Sequence, residues 1–456
     1  MKTSKWVASV GIILLVLVLT GFGTLPSVAA AIYYVAPNGD DLTSGTLGQP
    51  WQTIQKAAAT LVAGDTVYIR AGTYAEQVVP QNSGTTDSLI LYAAYPGETV
   101  TIDGATVDVP EWSGLFDLTL KSYIRVSGLR VINARTNIHN TGILVDTAHH
   151  ITIADNFTSG TNDSGIAAWN SNNVIIDHNE VVGACLAGYN ELISVGVTDV
   201  FEVRNNHVHA GPKEGICLKD GSSNGKAFGN LVHDTARVGF YVDAQARHTY
   251  NIEVYNNVAR DGVQGGFAIA SEVGGLLENI KVYNNVAYDN LWTGLSVTQC
   301  CIESHPMQNI QIINNTFYNN GREPWGGGLA LDNPQATGVV MRNNICSQNY
   351  TFQLAVNPQV PAGNFVADHN LIDGFRGTVG EGEIYGSDYV EGDPMFVNAA
   401  GADFHLQSNS PAIDKGSSSA APAVDFDGQF RPQGAGYDIG ADEYSMPSAA
   451  SGAVIY

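Results

Sequence analysis

Basic residues are scarce in this 456-residue chain: 21 Lys and Arg stand against 44 Asp and Glu, a formal charge of −23 at pH 7. So acidic a chain has no basic stripe to displace the counterions of a phosphate backbone, which excludes nucleic acid as its partner. Cysteine is sparse too. Cys185, Cys217, Cys300, Cys301 and Cys346 are too few and too unevenly spaced for a disulfide framework or a zinc site. They read as buried or free thiols, with an adjacent-residue disulfide at Cys300-Cys301 as the alternative. The apolar run from Val7 to Leu19 falls short of the ~20 residues that span a bilayer. Preceded by Lys2 and Lys5 and followed by Val28-Ala29-Ala30-Ala31, it reads as an export signal cut near Ala30. The expectation is a secreted or cell-surface protein with no membrane insertion after cleavage.

What the chain has in abundance is a recurring asparagine. Asn133, Asn156, Asn179, Asn206, Asn230, Asn257, Asn285, Asn315, Asn344 and Asn370 follow one another at intervals of 23 to 30 residues. Most come after a short alternating apolar stretch, such as Ile252-Glu253-Val254 or Ile280-Lys281-Val282. A period in this range with strand-like blocks is the mark of a solenoid. Short strands that turn sharply and stack on copies of themselves make an all-β parallel β-helix of about ten or more rungs. Ten rungs spaced ~4.8 Å apart give a rod on the order of 45–50 Å long. Asn suits the corner because it tolerates left-handed backbone angles and hydrogen-bonds locally.

The expected organisation is a signal over 1–30, an N-terminal cap and first rungs over 31–110, and the catalytic β-helix over 111–375. A C-terminal cap follows over 376–445, with a disordered tail over 446–456. Pro50-Trp51 opens a short capping helix with Ile54, Ala57, Ala58 and Leu61 on one face, suited to plugging the open end of the solenoid. A monomer is expected.

About nine residues after most of the asparagines comes a strand of the pattern Gly-apolar-x-apolar-x, as in Gly215-Ile216 and Gly239-Phe240. Alternation turns Ile216 and Leu218 inward and Cys217 and Lys219 outward. The same register turns Tyr241 and Asp243 outward, then Ala268 and Ala270, with Glu272 two residues on. Lys219, Asp243 and Glu272 therefore form one column on three rungs. The loops after this column position are about five residues long at Asp146, Trp169 and Val195, but about eight to twelve after Lys219, Asp243, Ala270 and Thr298. Insertions confined to one side of a repeat array build the walls of its binding face.

A carboxylate pair on neighbouring rungs suits glycoside hydrolysis: one acid protonates the leaving oxygen and the other attacks or activates water. Asp243 and Glu272, one rung apart and two residues offset, have a backbone separation of roughly 8 Å. Lys219 beside Asp243 is expected to hold that carboxylate ionised as base or nucleophile, leaving Glu272 as the acid. No cofactor is required on this reading. The rival is a polysaccharide lyase acting on uronic acids, with Lys219 as base, calcium on Asp220 and Asp243, and Arg237 and Arg247 for the substrate's carboxylate. A pairing with Asp243 would raise the pKa of Lys219 and weaken it as a base. A third reading is a carbohydrate-binding surface rod without activity. Tyr241, Trp292 and Trp325 are candidates for stacking on sugar rings, and His248 and His305 complete the expected contacts to a polysaccharide or oligosaccharide. His207 and His209 read as solvated, and His233-Asp234 as a turn element.

Tyr33 to Asp40, Pro50 to Ala57 and Gly64 to Tyr74 closely resemble the N-terminal segment of secreted bacterial right-handed parallel β-helix proteins of the pectate-lyase-like superfamily. Gly392 to Phe396, Ser410 to Gly416, Asp425 to Gly428, Arg431-Pro432 and Asp438 to Ala441 resemble a C-terminal segment common in such proteins. Gly239-Phe240-Tyr241-Val242-Asp243, then Ser271-Glu272-Val273-Gly274-Gly275 and Asn284-Asn285, resemble the paired motifs of the β-helical β-xylosidases of glycoside hydrolase family 120. That resemblance implies Asp243 as nucleophile and Glu272 as acid/base. The chain departs from the family in lacking its tryptophan-rich strand around the Asp and in a longer interval between the two carboxylates.

Overall fold

Each repeat folds as one turn of three short strands, as in Asp199–Arg204, His207–His209 and Ile216–Lys219, after which Ser223–Phe228 begins the next turn. The structure, a computed structural model, describes residues 30–299, 303–323 and 325–445; the export signal, Cys300-Cys301 and the tail lie outside the described residues. Among the described residues the turns stack into three sheets of 14, 13 and 10 strands, every pair within them parallel. The fold is the expected parallel β-helix. Alternate residues face a continuous apolar interior, where Phe201, Val203, Val208, Ile216 and Leu218 of one turn are buried. Each such side chain contributes roughly 1.5–3 kcal/mol.

The corner between first and second sheets holds the asparagine ladder. Asn257 donates from its backbone N–H to Asn285 Oδ1 at 3.0 Å and from its side-chain amide to the same oxygen and to Ala227 O, at 3.0 and 2.9 Å. The pattern runs unbroken from Asn156 to Asn344, which bonds Asn370. Two sequence expectations need correction here. Asn133 is not a rung of the ladder, because it follows the second-sheet strand Leu129–Ile132, and the corner of its turn is made by Gly128. Nor do the ladder asparagines adopt left-handed angles. The left-handed residue is the one before each: Asp155, His178, Asn205, Gly229, Asn256, Asn284, Asn314, Asn343 and His369. The ladder residue is selected because a buried amide can donate and accept at once between stacked turns.

At the N-terminal end the helix Ile54–Thr60 is capped by Thr53, whose hydroxyl accepts from Lys56 N at 3.1 Å. Ile54, Ala57, Ala58 and Leu61 are all fully buried in the main core. At the other end residues 374–391 cover the last turn, with Phe375 stacked on Tyr385 and the Glu383 carboxylate accepting from Gln353 N, Arg376 N and Thr378 N. The remainder of the expected C-terminal cap lies elsewhere. It runs along the flank of the corner, held by side-chain amides of left-handed asparagines: Asn256 to Phe426 O, Asn284 to Val424 O, Asn314 to Asp438 O and Asn343 to Ser417 O. Phe396, Phe404, Leu406 and Ile439 bury against Val286, Ile345 and Leu371 of the second sheet.

Candidate active site

The third sheet carries the face on which the sequence placed a site. Its strands register Asp146, Trp169, Gly196, Lys219, Asp243, Ala270 and Thr298 at one position in seven successive turns. The flanking Ile216, Leu218, Phe240 and Val242 are buried inward, so this column faces out as alternation requires.

Lys219 sits beside Asp243 but does not bind it. Its Nζ lies 2.8 Å from Glu191 Oε1 and 3.3 Å from Asn190 Oδ1, one turn earlier, and 5.3 Å from the centre of the Trp169 ring. Glu191 is fixed in turn by the Ser194 hydroxyl, which donates to Oε2 at 2.6 Å. Gly196 makes room for the arrangement, since a Cβ there would stand 1.9 Å from Trp169 Cζ3. Burial alone would depress the Lys219 pKa, but the adjacent Glu191 charge outweighs it and holds the ammonium firmly protonated.

Asp243, left without that partner, is 1% exposed. Its Oδ1 accepts from Gln245 N at 2.8 Å. Burial pushes its carboxyl up to about 7, with the Glu272 and Glu191 charges adding to the rise and the Gln245 bond and Lys219 opposing it. This corrects the expected electrostatics: desolvation prevails over Lys219, and Asp243 is the proton-holding carboxyl. Glu272 follows the strand Gly265–Ser271 and accepts from the Tyr241 hydroxyl at 2.7 Å. Tyr241 projects from the Asp243 strand, so it ties the two carboxylate-bearing turns together.

The other expected contacts scatter. Asp220 and Arg247 approach each other at 3.8 Å beyond the strand ends. Arg237 stands at the opposite, entry side of its strand, 3.4 Å from Glu214. His248 turns to Glu278 at 3.1 Å and to Tyr250, at the margin of the first sheet. His305 lies against Gly274 in the loop after Glu272. Trp292 is exposed at the entry side of Thr293–Gln299, and Trp325 lines a separate hollow with Asp332 and Phe352. Among the described residues, no three carboxylate, imidazole or thiol ligands converge around Asp220 and Asp243.

On the short-loop side the same face holds a cleft of about 310 Å³ that loop length did not signal. Trp112, His139, Asp146, Asp163, Trp169 and Asn190 line it. Trp112 stacks on His139 at 3.6 Å, Tyr189 packs edge-on to the same imidazole, and Asn190 donates to Asp163 at 3.0 Å. Asn190 thus touches both the cleft and Lys219. The outward tryptophan at 169 facing a glycine at 196 was the available sequence signal.

Residues 33–228 match the family model described as Pel9A-like, right handed beta helix region. Over those residues the chain is similar to that family, and the match spans less than half of its length. The matched region includes Trp112, Glu191 and Lys219 but ends before Asp243 and Glu272. The uncharacterized protein YwoF of Bacillus subtilis (strain 168) is 27% identical over 432 residues, covering 83% of this chain and 91% of that protein. Pectate lyase PEL9 of Emericella nidulans is 31% identical over 164 residues, covering 33% of this chain and 39% of that enzyme. The solved complex of XylC with xylose superposes with a TM-score of 0.58 at 13% identity, covering 90% of this chain and 98% of that one. At that identity the likeness to XylC is one of fold.

Proposed function

We propose that this protein is an extracellular carbohydrate-active enzyme that hydrolyses glycosidic bonds of a polysaccharide or oligosaccharide lying along the third sheet. The observation that carries the reading is the environment of Asp243: buried, unpaired with Lys219 and holding its proton to about pH 7, next to Glu272 on the following turn. Two carboxyl groups whose surroundings set them apart divide acid from base. Asp243 protonates the departing glycosidic oxygen, and Glu272, positioned by the Tyr241 hydroxyl, attacks the anomeric carbon or activates water. These roles invert those implied by the family 120 resemblance. Trp112 and Trp169 supply flat apolar faces for sugar rings in the adjoining cleft, and no cofactor takes part.

A lyase reading is favoured by two likenesses: the match of residues 33–228 to the Pel9A-like model and the 164-residue segment similar to a pectate lyase. There, Lys219 would abstract a proton beside a uronic carboxylate, with calcium held by Asp220, Asp243 and the substrate. The Glu191 pairing, which keeps Lys219 an ammonium, weighs against it. Incubating the mature protein with plant and algal polysaccharides, while following reducing ends and unsaturated-sugar absorbance together, separates the two. Reducing ends alone support hydrolysis. Both signals together, lost in chelator and restored by calcium, would replace it with β-elimination.

A further inference from the structure

Three histidines converge on the second sheet, on a different wall of the solenoid from the candidate active site. His207 and His209 belong to the strand His207–His209, and Val208 between them is buried, so both imidazoles project outward. His233 ends the strand Leu231–His233 of the next turn and registers with His209. One ligand nitrogen from each lies within 4.8 Å of the others, and His207 Nε2 approaches His233 Nε2 to 2.7 Å. The sequence reading of His207 and His209 as solvated is corrected: with His233 they are half-buried and packed face to face, while the His233-Asp234 doublet does make a turn, through the left-handed Asp234.

The surroundings match what imidazole ligands need. Asp234 Oδ2 lies 2.5 Å from His233 Nδ1, which fixes the tautomer that leaves Nε2 free to coordinate, as carboxylates do behind metal-bound histidines. Glu180 Oε1, on the preceding turn, is 3.3 Å from His209 Nε2 and stands ready as a fourth donor. Arg260 registers with His233 on the following turn, but its guanidinium pairs with Asp261.

We propose that His207, His209 and His233, with Glu180 as the fourth ligand, bind one divalent transition-metal ion of the zinc class, which pins three consecutive turns of the second sheet. Imidazole with one carboxylate suits zinc, and binding at ~2.0–2.1 Å would unstack the rings and turn their nitrogens toward one centre. Sequence alone shows the site as His-Val-His followed by His-Asp one period later.

The test uses the mature full-length protein stripped with chelator and titrated with zinc against a chromogenic competitor, with bound metal counted by mass spectrometry. One zinc per chain is expected, with a rise in the thermal unfolding midpoint on addition. His209→Gln and His233→Gln should each weaken binding at least 100-fold, and Asp234→Ala about tenfold. His405→Gln, in the other convergent cluster formed with Asp427 and Asp442, should change nothing. Circular dichroism of each variant without metal establishes that it folds. No zinc retained by the wild type, or equal zinc in wild type and a folded His207→Gln/His209→Gln/His233→Gln variant, would overturn the proposal. Cleavage of polysaccharide should be unaffected by these variants, so the site stands or falls apart from the catalytic reading.

Discussion

Lys219 and Asp243 occupy the same register position on neighbouring strands, yet the Lys219 ammonium closes on Glu191 at 2.8 Å, one turn in the opposite direction. Burial is therefore left to set the charge on Asp243. Because a buried carboxyl resists ionisation, the column separates into a permanent cation, a reluctant acid and, two residues beyond the next turn's position, the Tyr241-bound Glu272.

Hydrolysis should fall as pH rises through about 7, when Asp243 loses the proton it must deliver. Asp243→Asn and Glu272→Gln should each reduce turnover by at least about 100-fold while leaving circular dichroism unchanged. Initial rates from pH 5 to 9 on a hydrolysed substrate provide the check, and full activity in both variants would remove the pair from the mechanism.

Stability should show the same group. The folded pKa of Asp243 lies above its unfolded value, so its contribution is complete below about pH 4 and is lost as pH rises toward 7. Asp243→Asn should therefore gain on the order of 1–4 kcal/mol over wild type at pH 8 relative to pH 4. Urea unfolding at both pH values measures this, and an equal pH dependence in the two proteins would contradict it.

Glu191→Gln leaves the Lys219 ammonium buried without its counter-charge and should destabilise the fold by about 3–5 kcal/mol. The double variant Glu191→Leu/Lys219→Met should recover most of that loss, because it removes both charges together. Comparing the unfolding midpoints of the two variants separates a broken ion pair from lost packing.

Gly196→Ala places a methyl group where the Trp169 ring now lies and should push the indole away from the cleft. If Trp169 carries a sugar ring, the variant should raise KM up to about tenfold, with kcat nearly preserved. Steady-state kinetics on oligosaccharides of increasing length reads this directly.

How far the sequence disclosed this molecule differs from element to element. The 23- to 30-residue period, the inward Ile216 and Leu218 and the buried face of the Ile54–Thr60 helix could be read because each rests on a repeat or on alternation, which single residues cannot override. The column of Lys219, Asp243 and Glu272 followed from the same alternation. The partner of Lys219 did not, because a long flexible side chain chooses between carboxylates on either side of it, and Ser194 and Gly196 decide in favour of Glu191. The aromatic cleft was missed because loop length marks walls, whereas Trp112, His139 and Trp169 are gathered from separate turns. Asn133 was misplaced because spacing does not distinguish one corner of a turn from the next.

The asparagine doublets have two jobs. In Asn256-Asn257, Asn284-Asn285, Asn314-Asn315 and Asn343-Asn344 the second residue joins neighbouring turns while the first holds the returning C-terminal segment. A simple stack of repeats melts by fraying from its ends, since each turn touches only its neighbours. Here four turns are fastened to one external strip, and none can peel away until the strip itself lets go. The C-terminal half should therefore unravel as a single block, leaving the unstrapped turns on the N-terminal side to come apart one after another.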